Sequence, residues 1–179
     1  MLETNTHVHL ISLDMSKAFD TVRHGSVLSK LAGLQIPDAV YNWVLNFLLR
    51  RSHTTKHKGT MSGKEDINAS VVQGSAVGPI AFILNASDLH AINSENATFK
   101  YADDTFLIVP ASNANTIAQE LQHITSWAEQ NNLRINQAKT HELLVQKTDM
   151  HKKNLNIFET GLPRIKQLKI LGVTVHRMT

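Results

Sequence analysis

Apolar and polar residues along the chain follow two different periods, and the shorter one predicts β-strands. The run His7–Leu13 is predicted to form a strand that ends at Asp14. Two more apolar runs, 97–100 and 105–109, flank Tyr101-Ala102-Asp103-Asp104. Because Asp is depleted in strands and enriched in turns, this pattern predicts a β-hairpin with two carboxylates at its tip. Further strands are predicted at 52–58, 65–72, 143–145, 155–158 and 170–175.

The longer period, with apolar residues three and four positions apart, predicts four helices. They cover about 25–33, 37–48, 78–92 and 115–130. The second helix is predicted to bury an apolar stripe made of Val40, Trp43, Val44, Phe47 and Leu48. The resulting order of strand, helices, hairpin, helix and strand is expected when helices cover one face of an antiparallel sheet. The pattern therefore predicts an α+β fold.

Composition is consistent with one domain and narrows the possible partners. A chain of 179 residues with 42% hydrophobic content buries about 70% of the surface that it exposes when unfolded. Its 18 Lys and Arg against 15 Asp and Glu give a net charge of +3, which suits a polyanion without identifying one. The absence of cysteine excludes disulfides and thiolate metal sites and is compatible with an intracellular location. Neither a membrane span nor a secretory signal is expected, so no membrane partner is predicted.

Three carboxylates at the ends of predicted strands, Asp14, Asp103 and Asp104, suggest a metal site. Mg²⁺ prefers oxygen ligands and is usually held by one or two carboxylates together with substrate phosphates and water. Two such ions about 3.5–4 Å apart activate a hydroxyl nucleophile and stabilise a leaving pyrophosphate oxygen. Phosphoryl transfer depends mainly on positioning and charge neutralisation. The three residues therefore favour nucleotidyl transfer, and the alternative is an ordinary surface hairpin with a polar turn.

Five blocks of the sequence, taken in order, carry a family resemblance. They are Leu-Asp-Met-Ser-Lys-Ala-Phe-Asp-Thr-Val (13–22), Gln-Gly-Ser-Ala-Val-Gly-Pro (73–79), Tyr-Ala-Asp-Asp (101–104), Trp-Ala-Glu-Gln-Asn-Asn-Leu (127–133) with Asn136 and Lys139-Thr140, and Leu-Lys-Ile-Leu-Gly-Val (168–173). These blocks resemble motifs A to E of reverse transcriptases of non-LTR (LINE-type) retrotransposons. The ordered set spans about 7–175 and is far more specific than any single block.

The resemblance implies a ferredoxin-like polymerase palm, with an antiparallel sheet and helices packed on one face. It implies a single reverse transcriptase domain fragment over 1–179, with a palm core at about 7–146 and a motif E tail at about 155–175. Motif A begins about thirteen residues into the chain, and the chain ends shortly after motif E. The fingers and thumb are therefore expected to be largely absent and to come from a longer polyprotein.

The resemblance also implies roles for the acidic residues and for one aromatic residue. Asp14 and Asp103 would hold two Mg²⁺ ions, for which Mn²⁺ is a possible substitute, and Asp104 would complete the acidic cluster. Phe19, five residues beyond Asp14, would lie beneath the sugar of the incoming nucleotide and exclude a 2′-hydroxyl. An ordinary core phenylalanine is the alternative for Phe19.

Further binding roles follow from the other motifs. Gln73 and Gly74 would contact the base pair and the incoming nucleotide, where glycine permits close backbone approach. Lys139 would donate a proton to pyrophosphate or contact phosphate, with a solvated surface lysine as the alternative. Leu171 and Gly172 would steady the primer end, although packing alone also explains that pair. The densest basic stretch consists of Arg50, Arg51, Lys56 and Lys58. It is expected to contact template or primer phosphates, with a solvated basic strand as the alternative.

The function implied is RNA-directed DNA polymerisation, in which deoxynucleoside triphosphates extend a DNA primer on an RNA template. Little or no activity is expected from the isolated chain, because the segments that grip the substrate would be missing. One alternative is a palm polymerase like that of group II intron maturases, and another is an inert or nucleic-acid-binding remnant. In a eukaryotic host, the resemblance implies action in the nucleus.

Overall fold

The computed structural model describes residues 1–71, 74–146 and 157–176, and the chain divides into two compact units. The first unit consists of Met1–Ser16, Leu89–Gln130 and Arg134–Thr179. The second unit consists of Lys17–Asp88 and Asn131–Leu133. The single domain over 1–179 stays a prediction.

The described chain contains groups of strands and groups of helices. The strands are β1 (His7–Leu13), β2 (Arg51–His53), β3 (Lys56–His57), β4 (Thr60–Met61), β5 (Glu65–Ile67), β6 (Ala97–Tyr101), β7 (Asp104–Pro110), β8 (His141–Gln146), β9 (Arg164–Ile165), β10 (Gln167–Ile170) and β11 (Val173–His176). The helices are α1 (Ala18–Thr21), α2 (His24–Ala32), α3 (Asp38–Leu48), α4 (Val77–Asn85) and α5 (Ile117–Gln130), with 3₁₀ turns at Ala111–Thr116 and Gln137–Lys139. None of the helices in the described ranges is long and apolar enough to cross a membrane.

The first unit is built on a five-stranded sheet with the order β6-β7-β1-β8-β9. Adjacent strands run antiparallel except for β8 and β9, which are parallel. This sheet confirms the predicted α+β class, and the parallel β8–β9 pair makes it a mixed sheet. Of the strand predicted at 155–158, residues 155–156 lie outside the described residues, and Ile157 and Phe158 form no strand.

Side chains alternate between the two faces of this sheet, as the period of a strand requires. On one face, Leu10, Phe106 and Leu143 form a buried cluster. The β10–β11 hairpin packs its apolar side chains, Leu168, Ile170 and Val175, against that cluster. The other face of the central strand β1 is also buried, at His9, Ile11 and Leu13. Burial on both faces explains why apolar residues occupy both even and odd positions of β1, at Val8 and Leu10 and at Ile11 and Leu13.

Helix α5 of the first unit confirms the helix predicted at 115–130. Its buried positions include Ile117, Ile124, Trp127 and Ala128, which recur at the spacing of one helical face. The two residues before Ile117 belong instead to the 3₁₀ turn Ala111–Thr116.

In the second unit, α2 packs against α3 and α4, and the strands form two small antiparallel pairs, β2–β5 and β3–β4. The strands predicted at 52–58 and 65–72 are therefore wrong in part, because the first is interrupted between His53 and Lys56 and the second ends at Ile67. Two helix predictions are wrong in part. Helix α4 ends at Asn85 and not near Ile92. In α3, Leu48 is buried as predicted, but Val40 and Trp43 are 48% and 58% exposed.

Candidate active site

The site begins at the hairpin between β6 and β7. Tyr101 pairs with Asp104, so that Ala102 and Asp103 form a two-residue loop. Ala102 has a φ of 50°, in the left-handed region, where a residue with a Cβ is strained and glycine is favoured. Asp103 therefore lies at the tip of the hairpin and Asp104 begins β7. The predicted placement of this carboxylate pair on a hairpin is confirmed.

Asp14 lies at the same end of the sheet as this hairpin. Leu13 of β1 pairs with Thr105 of β7, and Asp14 and Asp104 are the next residues on their respective strands. The backbone oxygen of Asp14 accepts a hydrogen bond from the amide of Asn136 at 2.8 Å. This bond fixes the chain just beyond β1, and the Asp14 side chain remains 33% exposed.

The three carboxylates interact electrostatically. Burial, then the negative charge of Asp103, then that of Asp14, raise the pKa of Asp104 above its ordinary value. A like charge raises the pKa of a carboxyl group because it disfavours the ionised form. In the described part of the chain, the end of the sheet therefore carries a concentration of negative charge.

Among the described residues, Lys139 reaches this cluster with its side chain. It ends the 3₁₀ turn Gln137–Lys139, and its Nζ lies 3.8 Å from Oδ1 of Asp14. The lysine side chain is 68% exposed, and exposed pairs of this kind contribute about 0–1 kcal/mol. Lys139 thus reduces the repulsion only partly.

The chemistry of the carboxylate donors fits a hard divalent cation, which takes one or two carboxylates and completes its shell with water and substrate oxygens. Within the residues that the structure describes, no group of three or more His, Asp or Glu side chains is already arranged around a metal position. Asp14, Asp103 and Asp104 are therefore close enough to influence one another without forming a complete ligand cage.

The residues predicted to contact the nucleotide belong to the second unit. The ring of Phe19, in α1, packs against that of Phe82 with 5.3 Å between the ring centroids, and Phe19 is only partly buried. Gly74 has a φ of 81°, which glycine adopts without strain. Gln73 lies outside the described residues.

The residues predicted to contact nucleic acid fall in two hairpins. Leu171 and Gly172 form the turn between β10 and β11, both with positive φ, as in the turns that match strand twist best. The basic residues lie around β2 and β3 in the second unit. Lys56 and Lys58 are exposed, and Arg50 has a left-handed φ of 56°.

Two buried glutamates that support the first unit were missed by the sequence analysis. The Glu142 carboxylate lies 2.5 Å from Nδ1 of His9 and accepts a hydrogen bond from Nε of Arg164 at 2.8 Å. Glu120 accepts bonds from the amides of Ile92 and Asn93 at 3.0 and 2.9 Å, which holds the segment leading into β6. The available signal was a glutamate beside an apolar run: Glu142 precedes Leu143 within β8, and Glu120 lies on the buried face of α5.

Solved structures establish the class of fold. Telomerase from Candida albicans, in complex with a fragment of telomeric RNA, superposes with a TM-score of 0.67 over 97% of this chain and 31% of that chain, at 15% identity. A truncated apo telomerase from Candida tropicalis gives a TM-score of 0.65 over 98% of this chain and 35% of its own, also at 15% identity. The chain therefore has the fold of part of a polymerase domain.

The sequence then identifies the family. Residues 1–175 match the family model described as "Reverse transcriptase (RNA-dependent DNA polymerase)". The chain belongs to this family, whose members are nucleotidyltransferases and generally use divalent metal ions. The family resemblance carried by the five sequence blocks is confirmed.

Curated relatives identify the branch of the family. The chain is 28% identical to the RNA-directed DNA polymerase from mobile element jockey of Drosophila melanogaster, over 92% of this chain and 19% of that protein. It is also 28% identical to the probable RNA-directed DNA polymerase from transposon BS of the same species, over 75% of this chain and 16% of that protein. These homologues are non-LTR retrotransposon polymerases. The chain spans about one fifth of the length of the jockey polymerase.

Proposed function

We propose that this chain carries the polymerisation site of a non-LTR retrotransposon RNA-directed DNA polymerase, which extends a DNA primer on an RNA template with deoxynucleoside triphosphates. The observation that carries the proposal is that the strand register brings Asp14, Asp103 and Asp104 to one end of the sheet, because Leu13 pairs with Thr105 and Tyr101 pairs with Asp104. Carboxylates gathered in this way are what a cation-dependent phosphoryl-transfer site requires.

Asp14 and Asp103 would hold two Mg²⁺ ions, or Mn²⁺ in their place, and Asp104 would add its charge to the cluster. When bound, the cations supply neutralisation of phosphate charge and lower the pKa of the primer hydroxyl. The protein contributes rigid placement, because Asp14 follows a buried central strand and Asp103 lies at the tip of a short hairpin.

The remaining sites extend this proposal to the substrates. Phe19 would exclude a 2′-hydroxyl from the sugar pocket, and Gln73 and Gly74 would contact the nascent base pair. Lys139, beside Asp14, would contact the leaving phosphates or donate a proton to them. Nucleic-acid strands would be contacted by Arg50, Arg51, Lys56, Lys58, Leu171 and Gly172. We expect the protein to act in the nucleus if its host is eukaryotic.

The isolated chain is expected to be weakly active or inactive. Its relatives are about five times longer, and gripping of template, primer and nucleotide would require segments that they contain in addition. The catalytic group would remain testable in the 179-residue chain through its affinity for metal.

The first experiment is titration of the chain with Mn²⁺, followed by electron paramagnetic resonance of the free ion. Binding should weaken at least about tenfold in Asp103→Asn, because a principal carboxylate ligand loses its charge. Asp66→Asn, which removes an exposed acid from β5, is the matched control and should bind as the unmodified chain does. Unchanged Mn²⁺ affinity in both Asp14→Asn and Asp103→Asn would disprove the site.

The second experiment measures incorporation of labelled deoxynucleotides on an RNA template with an annealed DNA primer. Any synthesis by the chain should disappear in Asp103→Asn, while binding of the primer and template persists. Robust synthesis by the unmodified chain alone would contradict the expected low activity. Synthesis that survives in Asp103→Asn would contradict the assignment of the catalytic residues. The similarity to jockey and BS favours a retrotransposon polymerase over an intron maturase.

A further inference from the structure

The exposed side of α3 and the start of β2 carry an aromatic and cationic ladder that the acidic site does not use. Trp43, Phe47 and Arg51 follow one another at intervals of four residues. The rings of Trp43 and Phe47 are stacked, with centroids 5.8 Å apart and planes inclined by 17°. The Cζ of Arg51 lies 4.8 Å from the centroid of the Phe47 ring.

This ladder is held in a defined geometry. Nη1 of Arg51 donates a hydrogen bond to the backbone oxygen of Phe47 at 3.0 Å, which ties the guanidinium to the end of the helix. Phe47 is partly buried between its two neighbours, whereas Trp43 is 58% exposed. The indole is therefore supported by a second ring and still presents aromatic surface to solvent.

The charge around the ladder is concentrated and positive. Between residues 50 and 66 there are five Lys and Arg and two Asp and Glu, an excess of three. The whole chain has 18 basic and 15 acidic residues and thus the same excess. All of its net positive charge is therefore accounted for by the segment that begins two residues after α3 ends, and the rest of the sequence is neutral.

We propose that the ladder of Trp43, Phe47 and Arg51 is a stacking platform for the bases of a single-stranded polynucleotide. The phosphates of that strand would contact the basic residues around β2 and β3. Sequence-tolerant binding of single strands combines these two features, a positive surface that follows the backbone and aromatic rings on which bases stack. A duplex keeps its bases stacked internally and offers this platform only phosphates, so the exposed indole favours an unpaired strand. RNA and DNA share this chemistry.

The platform belongs to the second unit and the acidic residues to the first, so binding can be tested without metal or nucleotides. The probes are fluorescein-labelled 20-mers of single-stranded RNA, single-stranded DNA and duplex RNA, measured by anisotropy with the 179-residue chain. We expect both single strands to bind more tightly than the duplex. Trp43→Ala should weaken single-strand binding by about 5- to 150-fold, because stacking contributes about 1–3 kcal/mol per base.

Intrinsic fluorescence gives an independent measure of stacking. The chain has two tryptophans, and Trp127 is only 7% exposed. Single-stranded RNA should therefore quench mainly Trp43. Trp43→Phe should retain most of the affinity and lose the quenching, which separates a stacking ring from a merely structural residue.

Two controls separate stacking from charge. Phe158→Ala removes a different exposed aromatic side chain and should leave binding unchanged. The double substitution Lys56→Gln and Lys58→Gln should reduce the dependence of log K on log salt by about 0.7 per lysine, whereas Trp43→Ala should leave that slope unchanged.

Three outcomes would overturn the proposal. One is the absence of single-strand binding, and another is equal affinity for single strands and duplex that Trp43→Ala does not alter. The third is a change from dimer to monomer in Trp43→Ala with RNA binding unaffected, which would show that this face pairs with a second copy. None of these outcomes depends on whether Asp103 supports synthesis.

Discussion

The two ends of strand β1 lie beside carboxylates in opposite circumstances, a buried glutamate at one end and partly or fully exposed aspartates at the other. Near its start, His9 contacts Glu142, which also accepts a hydrogen bond from Arg164. Just past its end, Asp14 lies with Asp103 and Asp104, and only the exposed Lys139 approaches it among the cations of the described residues. The same central strand thus supports a neutralised network at one end and a surplus of negative charge at the other.

The pKa shifts at the two ends have opposite signs. Burial alone would raise the pKa of Glu142, but the hydrogen bonds and charges of His9 and Arg164 outweigh it and hold that pKa below its ordinary value. At the other end, burial and two like charges raise the pKa of Asp104. The difference indicates that Glu142 is a structural residue whose negative charge is neutralised by His9 and Arg164. The aspartates carry negative charge that an external cation can neutralise.

The largest effect on this comparison is expected from removing the charge of Glu142. Glu142→Gln should lower the free energy of unfolding by about 2–4 kcal/mol, because it leaves Arg164 without its buried partner. The depressed pKa makes the stabilisation fully present above the unfolded pKa of about 4.3 and lost as pH falls through the folded value. Urea titrations between pH 3 and pH 7 measure both effects.

Glu129→Gln, which alters an exposed glutamate of α5, is the matched control and should change stability by less than about 0.5 kcal/mol. Equal stability of Glu142→Gln and the unmodified chain at pH 7 would mean that the network at the start of β1 is not structural.

A smaller effect of opposite sign is expected at the acidic end. Asp104→Asn should stabilise the metal-free chain at pH 7 by up to about 1 kcal/mol, because it removes repulsion in a largely solvated cluster. Since the folded pKa of Asp104 is raised, the ionised form destabilises the fold above that pKa. The gain should therefore vanish as pH falls through the folded value towards the unfolded one.

The same urea titrations test this prediction, with Asp66→Asn as the control for removing an exposed acid. Mg²⁺ should stabilise the unmodified chain more than Asp104→Asn, because a bound cation relieves the repulsion. Destabilisation by Asp104→Asn at pH 7 would reverse the contrast between the two ends.

Local pattern predicted the acidic end of β1 well and the other end poorly. The run His7–Leu13 and the hairpin around Asp103 depend on residues near in sequence, and both were predicted. Glu142 and His9 are 133 positions apart, so no periodicity links them. Glu120 accepts hydrogen bonds from Asn93 and Ile92, which lie 27 and 28 positions earlier in the chain. Local pattern could not predict these bonds either.

The errors in the helices have the same origin. Periodicity identified the apolar face of α3 but did not determine what covers it, and Trp43 remains exposed. The predicted extension of α4 to Ile92 failed because the chain beyond Asn85 finds other hydrogen-bond partners. Ser87 donates from its hydroxyl to the oxygen of Leu84 at 2.8 Å, and Asp88 accepts from Lys30 at 2.7 Å. Nζ of Lys30 also donates to the backbone oxygen of Asn85, so a distant lysine takes the carbonyl oxygen that a further helical turn would use.

The smallest expected effect concerns Lys139, the nearest cation to the acidic end. Its Nζ lies 3.8 Å from Asp14, so Lys139→Gln should tighten Mn²⁺ binding about two- to fivefold by removing a competing positive charge. The effect should shrink in high salt, because both side chains are partly exposed. Lys166→Gln, an exposed lysine on the same unit, should leave Mn²⁺ affinity unchanged. If Lys139→Gln weakens Mn²⁺ binding instead, the lysine positions Asp14 for the cation and does not compete with it. The acidic end would then resemble the neutralised network around Glu142 more closely than the raised pKa of Asp104 suggests.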